Sequence, residues 1–415
     1  MSFMDQAIPS LSEAFVPPLV RGTADLTSFA YQGNGYDALM QRIRATSQPE
    51  AADAAWTYDA AIAAQLSFRR AEGLNLQDAA LAASQIYRIA RAGTSPGADT
   101  QAPLRLLALV GPGDLMTNTP LDFLTNYLNV RLDLLYLLPD RPLPSEIPDH
   151  DLAFFALGEA DPSTLVRLRW LYATWPRPAL NDPRFLPALE RDTLSQSLAG
   201  IPSVCSPTAV AVHRTALDEH MSSGGPIEGL GPHPYPYLIR PHTSHAGTGL
   251  SRIGSVEELA DYLRFSFEKK FFLTRFENYA GPDGLYRKSR VAFIDQQPFL
   301  CHMAISKNWM VHYLNADMAE SADRRAEEAR AMADFDTGFA RRHATAFAAL
   351  HQRLGFDYYS IDCAETRDGR LLVFEADAAA IVHLMDPPDL FPYKQPQMQK
   401  VFAAFDEMLR RRTHQ

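Results

Sequence analysis

The sequence of residues 357–377, DYYSIDCAETRDGRLLVFEAD, constrains the fold more than any other stretch of this chain. Asp368-Gly369 stands between two apolar runs, and an Asp-Gly pair in this setting is the strongest short-range signal of a β-hairpin. If these two residues form the turn, counting back along both strands places Asp362 directly opposite Glu375. The segment therefore predicts two paired strands with opposed carboxylates.

Three acidic side chains are expected on one face of this hairpin. Asp377 lies two residues beyond Glu375, so it projects from the same face about 6.6 Å further along the strand. Directly opposed residues have Cβ atoms about 4.5–5.5 Å apart, and like charges there repel. A partly buried carboxylate cluster needs a cation, and oxygen-only ligation is typical of magnesium or manganese. Asp362, Glu375 and Asp377 are therefore candidate metal ligands. The alternative is an exposed hairpin that carries its charges on the solvent face.

Composition narrows the class of protein. A chain of 415 residues is long for one core, so two or three domains are expected. The net charge of −10 argues against nucleic acid as a partner. No apolar run approaches about 18 residues and no signal peptide is recognisable, so no membrane association is expected. Three scattered cysteines suit neither a disulfide framework nor a zinc site, which favours a reduced, cytoplasmic setting.

The N-terminal hundred residues are predicted to be helical. Residues 51–70 and 76–91 are rich in alanine and have apolar residues at helical spacing. Residues 93–103, GTSPGADTQAP, have the composition of a linker. We therefore predict a helical N-terminal region over residues 1–100.

After this region the pattern changes to short apolar strands that alternate with helices. The predicted strands lie at 104–110, 130–138 and 152–157. This alternation is typical of a parallel sheet that is covered on both faces, and it predicts an α/β domain over residues 101–182. From residue 183 onward, mixed strands and helices predict an α+β domain. Asp114 and Asn118 follow the first strand and could line a crevice at its carboxyl end.

A loop rich in small residues follows a predicted strand at residues 242–250, HTSHAGTGL. Gly247 and Gly249 let backbone amides approach an anion closely, and Ser244 adds a hydroxyl donor. Arg240, at the end of the strand, can bind a phosphate through two N–H groups. Taken alone, the loop is more commonly an ordinary turn, and it lacks the Gly-Lys-Ser/Thr element of a Walker motif.

Basic residues and histidines between the loop and the hairpin are further candidates. Arg290 alternates with apolar residues, so it is expected to face inward, where it suits the charge of a phosphoryl or carboxylate group. Lys288 could equally belong to an exposed basic strand edge. His302, Lys307 and His312 are candidate substrate contacts, although histidines near apolar residues are more often structural. The sequence contains no Gly-x-Ser-x-Gly element and no recognisable cysteine nucleophile, which disfavours hydrolysis through a covalent intermediate.

These motifs, in this order, resemble the ATP-grasp family of carboxylate–amine ligases over about residues 104–387. The sequence IDCAETRDGRLLVFEAD is similar to the family's metal-binding strand pair, in which an aspartate faces a glutamate and an asparagine two residues apart. Asp362 and Glu375 match by type, and Asp377 stands where asparagine is usual.

The resemblance also extends to the nucleotide-binding elements. Residues 237–241 and the loop after them look like the family's strand and glycine-rich lid, with Arg240 where lysine is usual. Residues 271–276 resemble the hinge strand that receives adenine, with Arg275 where an acidic residue is common. Arg290 matches an arginine of the glutamate-ligating branch. The resemblance implies catalytic roles for Arg240 and Arg290, and it implies nucleotide contacts for Arg240, Ser244, His245, Gly247, Gly249, Thr274, Arg275 and Phe276.

What the resemblance implies is an ATP-grasp architecture with a parallel-sheet pre-ATP-grasp domain at 101–182 and an ATP-grasp domain at 183–412. The lid would span about 185–270, and the metal-binding and catalytic part about 271–412. The implied cofactors are ATP and Mg²⁺ or Mn²⁺. The implied function is activation of a small-molecule or peptide carboxylate as an acylphosphate, followed by its transfer to an amine or similar nucleophile.

The alternatives left open are a nucleotide-binding protein without ligase activity and a metal-dependent phosphate-ester hydrolase. The N-terminal region resembles helical extensions that accompany some members of the family, which implies a protein or peptide partner for these helices.

Overall fold

The computed structural model describes residues 8–45, 53–91, 102–230, 235–242, 244 and 247–413. The predicted linker at 93–103 and the loop residue His245 fall largely or wholly outside these ranges. The strands are β1 (Ser10–Ser12), β2 (Leu19–Val20), β3 (Ile86–Ile89), β4 (Leu104–Val110), β5 (Val130–Tyr136), β6 (Glu146–Pro148), β7 (Leu152–Phe155), β8 (Ala179–Leu180), β9 (Val204–Cys205), β10 (Ala209–His213), β11 (Tyr237–Pro241), β12 (Ser251–Ile253), β13 (Lys270–Arg275), β14 (Tyr286–Ile294), β15 (Gln297–Ser306), β16 (Tyr358–Glu365) and β17 (Leu371–Asp377).

The α-helices are α1 (Gly22–Tyr31), α2 (Tyr36–Arg44), α3 (Ala54–Leu66), α4 (Arg70–Ala83), α5 (Leu121–Thr125), α6 (Pro162–Thr174), α7 (Arg191–Leu198), α8 (Arg214–Ser223), α9 (Val256–Phe265), α10 (Ala322–Ala333), α11 (Phe339–Arg342), α12 (Ala344–Leu354) and α13 (Lys394–Arg412). Short 3₁₀ helices cover Pro183–Leu189 and Tyr313–Asn315. Among the described helices, none has the length and apolar character needed to cross a bilayer.

A six-stranded sheet has the order β2-β3-β5-β4-β7-β8, with its pairs parallel except β3 against β5. The strands predicted at the start of this domain are confirmed. They are buried on both faces because helices cover both sides, which explains their continuous apolar sequences. The carboxyl ends of β4 and β7 meet at one edge of the sheet, and this edge borders the site described below.

The predicted helical region at 1–100 contains helices α1–α4, but it also contains three short strands that were not predicted, β1, β2 and β3. Residues 86–89 form strand β3 and not the end of a helix, because Ile86 and Tyr87 bury their side chains against the sheet. Strand β2 adds to the same sheet beyond β3. Leu26 and Tyr58 of helices α1 and α3 also belong to one apolar core with Phe405 of α13. The described parts of the N-terminal hundred residues are therefore built into the core.

The remaining two large sheets confirm the predicted α+β part. A four-stranded antiparallel sheet, β10-β13-β11-β12, packs with α8 and α9 around its own apolar cluster. A five-stranded sheet, β15-β14-β16-β17-β9, contains the predicted hairpin and places α12 against one face and α13 near the other. The predicted α/β and α+β fold class is therefore confirmed.

Candidate active site

In the β16–β17 hairpin Asp362 lies opposite Glu375, as predicted, but the loop and the strand pairing differ from the prediction. The loop has three residues, because the N–H of Thr366 donates to the carbonyl of Arg370 at 3.0 Å and Gly369 takes a φ of 82°. A β-bulge next to Asp362 leaves Phe374 unpaired and shifts the register by one residue. The extra loop residue and the bulge shift the register by one residue in opposite directions. The predicted pairing of Asp362 with Glu375 is therefore confirmed, although the predicted two-residue turn is wrong.

Asp362 is neutralised by two cations from the neighbouring strand β14. Arg290 donates from Nε to Oδ1 at 2.8 Å and from Nη2 to Oδ2 at 3.1 Å, and Lys288 Nζ lies 2.7 Å from Oδ2. Burial opposes ionisation of Asp362, but these two charges outweigh it and hold the pKa of Asp362 well below its usual range. Lys288 therefore faces the site, and the alternative that it forms an exposed edge is wrong. Lys288 and Arg290 are two residues apart in the sequence, a spacing that places both side chains on the same face of β14.

The other two carboxylates have different surroundings. Glu375 Oε2 accepts a hydrogen bond from Arg191 at 2.9 Å, and Arg191 is the first residue of α7. Asp377 Oδ1 accepts from the backbone N–H of Ala379 at 2.6 Å. Burial raises the pKa of Asp377 to about 6, and the negative charge of Glu375 acts in the same direction. Asp377 is thus a partly buried carboxylate that is short of positive charge.

The donor set fits a hard divalent cation in its chemistry, since it consists of carboxylate oxygens. Both oxygens of Asp362 are taken by cations, however, and in the described part of the chain no three histidine, cysteine or acidic side chains converge as a metal site would require. Asp377 would gain the most from an added cation. The oxygens that best fit Mg²⁺ are therefore those of Glu375 and Asp377, and the metal-binding role of all three residues stays a prediction.

Arg240 is a buried guanidinium under the predicted lid. Its Nε donates to Ser244 Oγ at 3.1 Å, and Nη2 donates to the carbonyl of Ser244. Burial and then the charge of nearby Arg191 lower the pKa of Arg240 to about 10, while Glu375 opposes the shift. Two neighbouring arginines that repel each other favour a bound anion.

The described glycines of the lid loop take a left-handed backbone conformation. Gly247 and Gly249 take φ values of 76° and 67°, and a β-carbon at Gly247 would lie 2.5 Å from Nε2 of His312. The hydroxyl of Tyr262 donates to the carbonyl of Gly249 at 2.7 Å. Burial lowers the pKa of His312, and the charge of Lys288 acts in the same direction. His312 therefore lies between the lid and the Asp362 cluster.

The predicted hinge strand uses its backbone donors within the protein. The N–H of Arg275 donates to Thr208 O at 3.0 Å, and that of Phe276 donates to Pro236 O at 3.2 Å. Thr274 lies between β10 and β11 in the sheet. The two N–H groups at the end of this strand are therefore engaged in this conformation. The predicted contacts of Thr274, Arg275 and Phe276 with adenine stay predictions.

Two of the three predicted substrate residues lie close to the cluster. His302 is the direct partner of Arg290 in the β14–β15 pair, and its ring centroid lies 4.8 Å from that of Tyr313. Burial lowers the pKa of His302 well below its usual range, so the ring is neutral. Lys307 is exposed just beyond β15, and its role stays a prediction.

The parallel sheet contributes the opposite wall, which the sequence did not reveal in residue detail. Gly158 follows β7, and its N–H donates to the carbonyl of Thr117 at 2.9 Å. A β-carbon at Gly158 would lie 2.8 Å from Cβ of Ala379, two residues after Asp377. The carboxyl edge of the parallel sheet therefore touches the loop that carries the acidic cluster.

Comparisons with known proteins give distant structural likenesses. No protein-family model matches the sequence, and no curated protein matches it. The chain is similar to D-alanine–D-alanine ligase from Bacillus anthracis complexed with ATP, with 12% identity, 75% of this chain and 99% of that chain covered, and a TM-score of 0.42. It is similar to a RimK domain ATP-grasp protein from Sphaerobacter thermophilus DSM 20745, with 16% identity, 73% and 99% covered, and a TM-score of 0.40.

A third likeness is to VanG D-Ala:D-Ser ligase from Enterococcus faecalis, with 12% identity, 75% and 99% covered, and a TM-score of 0.44. Since all three TM-scores are below 0.5, the function proposed below is inferred from the side chains of the site.

Proposed function

We propose that this chain is an ATP-dependent ligase of the ATP-grasp type, which phosphorylates a carboxylate and transfers the acyl group to an amine or similar nucleophile. The observation that carries the proposal is the pairing of Asp362 with Arg290 and Lys288 opposite Glu375. This pairing concentrates anions and cations at one edge of the parallel sheet, beneath a glycine-containing loop. Such a site suits a ligand that brings both phosphate charge and a divalent cation.

The positive side chains supply the electrostatic part of phosphoryl transfer. Arg240 and Arg191 lie on the lid side, and Lys288 and Arg290 lie on the hairpin side. Phosphoryl transfer depends mainly on positioning and charge stabilisation, and it requires no covalent help from the protein. These four cations would hold the phosphates of ATP next to the substrate carboxylate.

The burial of two cysteines also supports direct transfer of the acyl group between bound substrates, without a covalent intermediate on the protein. Cys301 and Cys363 are buried, and burial raises the pKa of Cys301 to about 12, so neither thiol is available as a nucleophile at neutral pH. In the proposed reaction, the substrate carboxylate attacks the γ-phosphorus and ADP leaves. The nucleophile then attacks the acyl carbon and phosphate leaves.

A divalent cation is part of the proposal. Glu375 and Asp377 would hold it, with Asp362 as a third ligand once phosphates attract Arg290 and Lys288. When bound, Mg²⁺ would neutralise phosphate charge. The protein's own contribution is to keep these carboxylates on one face of a rigid hairpin, which the bulge at Asp362 fixes in register.

The substrates are proposed to be small-molecule or peptide carboxylates and amines, bound beside the contact between Gly158 of the parallel sheet and the loop after Asp377. Binding of a protein or peptide partner by the N-terminal helices also stays a proposal. The shared apolar core favours a structural role for much of this region.

The proposal is tested with the purified full-length chain, Mg-ATP, and pools of carboxylates and amines, by following ADP release and the mass of the product. Arg290→Gln should abolish turnover, and Glu407→Gln, on the exposed side of α13, is the matched control. ADP release that requires both a carboxylate and an amine supports the ligase. ATP binding without ADP release under any pool would favour the nucleotide-binding alternative, and phosphate release from model esters without nucleotide would favour the hydrolase.

A further inference from the structure

The loop that follows β17 places His383 next to the proposed site. No sequence motif indicated this histidine. Asp377 accepts from the N–H of Ala379 at 2.6 Å, and Arg290 Nη1 donates to the carbonyl of Ile381 at 3.2 Å. These two bonds tie the loop to the acidic cluster. His383 follows Ile381 by two residues and lies within electrostatic reach of Arg290.

The hydrogen bonding of His383 fixes its tautomer. The backbone N–H of Met385 donates to His383 Nδ1 at 3.2 Å, so Nδ1 is an acceptor and the neutral ring carries its proton on Nε2. Burial lowers the pKa of His383 to about 4, opposed by Asp386 and assisted by Lys394 and Arg290. At neutral pH the ring is therefore an uncharged donor through Nε2.

Helix α1 of the N-terminal region helps to fix this ring. The ring of Tyr31 lies 6.3 Å from that of His383, and its hydroxyl lies 3.4 Å from Oδ1 of Asp386. Asp386 also accepts from Lys394 Nζ at 2.8 Å, so its position is set from two sides. Tyr31 is 40% exposed and His383 is partly buried, so this corner of the site borders solvent.

Within the described part of the chain, Nε2 of His383 has no hydrogen-bond partner, whereas Nδ1 is held by the backbone. The imidazole ring is held at Nδ1, and its neutral Nε2–H can donate to a ligand. Such a donor suits an oxygen that gains negative charge during a reaction. It does so without adding a full charge beside Arg290. The same logic makes a neutral imidazole a useful polarising group in other enzymes.

We propose that His383 contacts the substrate and donates a hydrogen bond from Nε2–H to the carbonyl oxygen of the acyl group; this inference rests on the proposed ligase function. When the amine attacks the acylphosphate, the new C–N bond forms and the carbonyl oxygen takes up negative charge. The carbonyl then re-forms as the C–O bond to phosphate breaks, and phosphate leaves with the electron pair. The amine loses its proton to solvent or to the departing phosphate, and His383 keeps its own.

The test compares wild type with His383→Gln and His383→Leu in the full-length chain. The amide nitrogen of glutamine can occupy nearly the same place as Nε2, whereas leucine removes the donor. Hydroxylamine serves as the amine, with Mg-ATP and a panel of carboxylates, and hydroxamate formation is measured from pH 5.5 to 8.5. Nucleotide binding is measured separately, as the thermal shift with Mg-ATP.

We expect His383→Leu to lower kcat about 100-fold with little change in the KM for ATP, because loss of one such donor costs about 10²–10³ in rate. His383→Gln should retain most of the activity. The wild-type profile should show no step from ionisation of His383 above pH 5.5.

Equal kcat values in wild type and His383→Leu, or an equal loss in both variants, would overturn the role of His383 while leaving the ligase proposal standing. A wild-type protein that shifts with Mg-ATP but forms no hydroxamate with any acid would contradict the ligase proposal, and with it this role. The thermal shifts separate these outcomes from a folding defect.

Discussion

Arg290 and Asp362 face each other on neighbouring strands, and the guanidinium contacts both carboxylate oxygens at 2.8 and 3.1 Å. Lys288 adds a second cation to the same carboxylate. On sequence alone, opposed Asp362 and Glu375 suggest repulsion in the metal-free protein, so removing one charge should stabilise it. The structure reverses that expectation for Asp362, since its charge is already compensated.

Asp362→Asn should therefore destabilise the metal-free protein. Breaking a buried ion pair leaves a cation without its partner and costs about 3–5 kcal/mol. Glu375→Gln should cost about 0–1 kcal/mol, since Glu375 is one-third exposed and its pair with Arg191 is partly screened. Chemical denaturation of both variants checks this difference. A more stable Asp362→Asn protein would show that repulsion dominates in the cluster.

A second prediction concerns the lid. Gly247→Ala should weaken Mg-ATP binding, because a methyl group at this position collides with His312 and displaces the loop. Gly284→Ala is the matched control, since Gly284 has the same φ of 76° but open space around its β-carbon. Both substitutions carry the strain of a left-handed residue, about 1–2 kcal/mol. Nucleotide titrations that weaken equally in both variants would contradict a specific role of Gly247.

The same loop should change its protection when nucleotide binds. Residues 247–250 contain two glycines and make few buried contacts, so their amides should exchange rapidly in the free protein. Saturating Mg-ATP should slow this exchange, and hydrogen exchange with mass detection measures it. Unchanged exchange at 247–250 would indicate an ordinary turn that takes no part in binding.

Truncation tests how the N-terminal region is joined to the rest. The described N-terminal helices share one apolar core with the rest of the protein, so they are not expected to be separable from it. A protein that starts near Ala102 lacks β2, β3 and helices α1–α4, which exposes the apolar surface around Tyr136 and Phe405. We expect it to be insoluble or unable to bind nucleotide. A soluble fragment with a normal Mg-ATP thermal shift would contradict the shared core.

The stability of the protein should depend on pH through Asp59. Asp59 is 4% exposed and accepts from the N–H groups of Arg21 at 2.9 Å and Gly22 at 3.2 Å. Burial raises its pKa to about 7 in the folded protein, from an ordinary value of 3.8. The protonated form is thus favoured by folding, so the contribution of Asp59 to stability is full below about pH 4 and is lost as pH rises through 7.

Asp59→Asn removes this titration. The free energy of unfolding of the variant should therefore rise relative to wild type between pH 4 and pH 8, as measured by denaturant titration at each pH. Parallel pH profiles for the two proteins would show that Asp59 does not titrate in this range.

The sequence predicted the paired strands and opposed carboxylates because hairpin turns and strand alternation are local properties. The predicted two-residue turn is wrong, and the bulge at Asp362 was not predicted. A bulge depends on packing across β16 and β17 and leaves no local signal in the sequence. Strand β3 was missed for a similar reason. Ile86 and Tyr87 fit a helical pattern, and only the neighbouring strand β5 decides their conformation.

The site shows the same division. Arg240, Gly247 and Arg290 were named as candidates from their positions relative to predicted strands, and their roles stay predictions. His383 and Gly158 lie near the candidate site through contacts between segments far apart in the chain, so no short motif marks them. The compensation of Asp362 by Lys288 needed the register of β14 against β15 and β16.

The most direct test of the proposed function follows oxygen from the carboxylate to phosphate. Carboxylates labelled with ¹⁸O are supplied with Mg-ATP and amines, and the released phosphate is analysed by mass. An acylphosphate intermediate transfers one labelled oxygen to phosphate in each turnover, and Arg290→Gln should abolish the transfer. Release of ADP with unlabelled phosphate would mean that water attacks ATP, which would contradict a carboxylate-activating ligase.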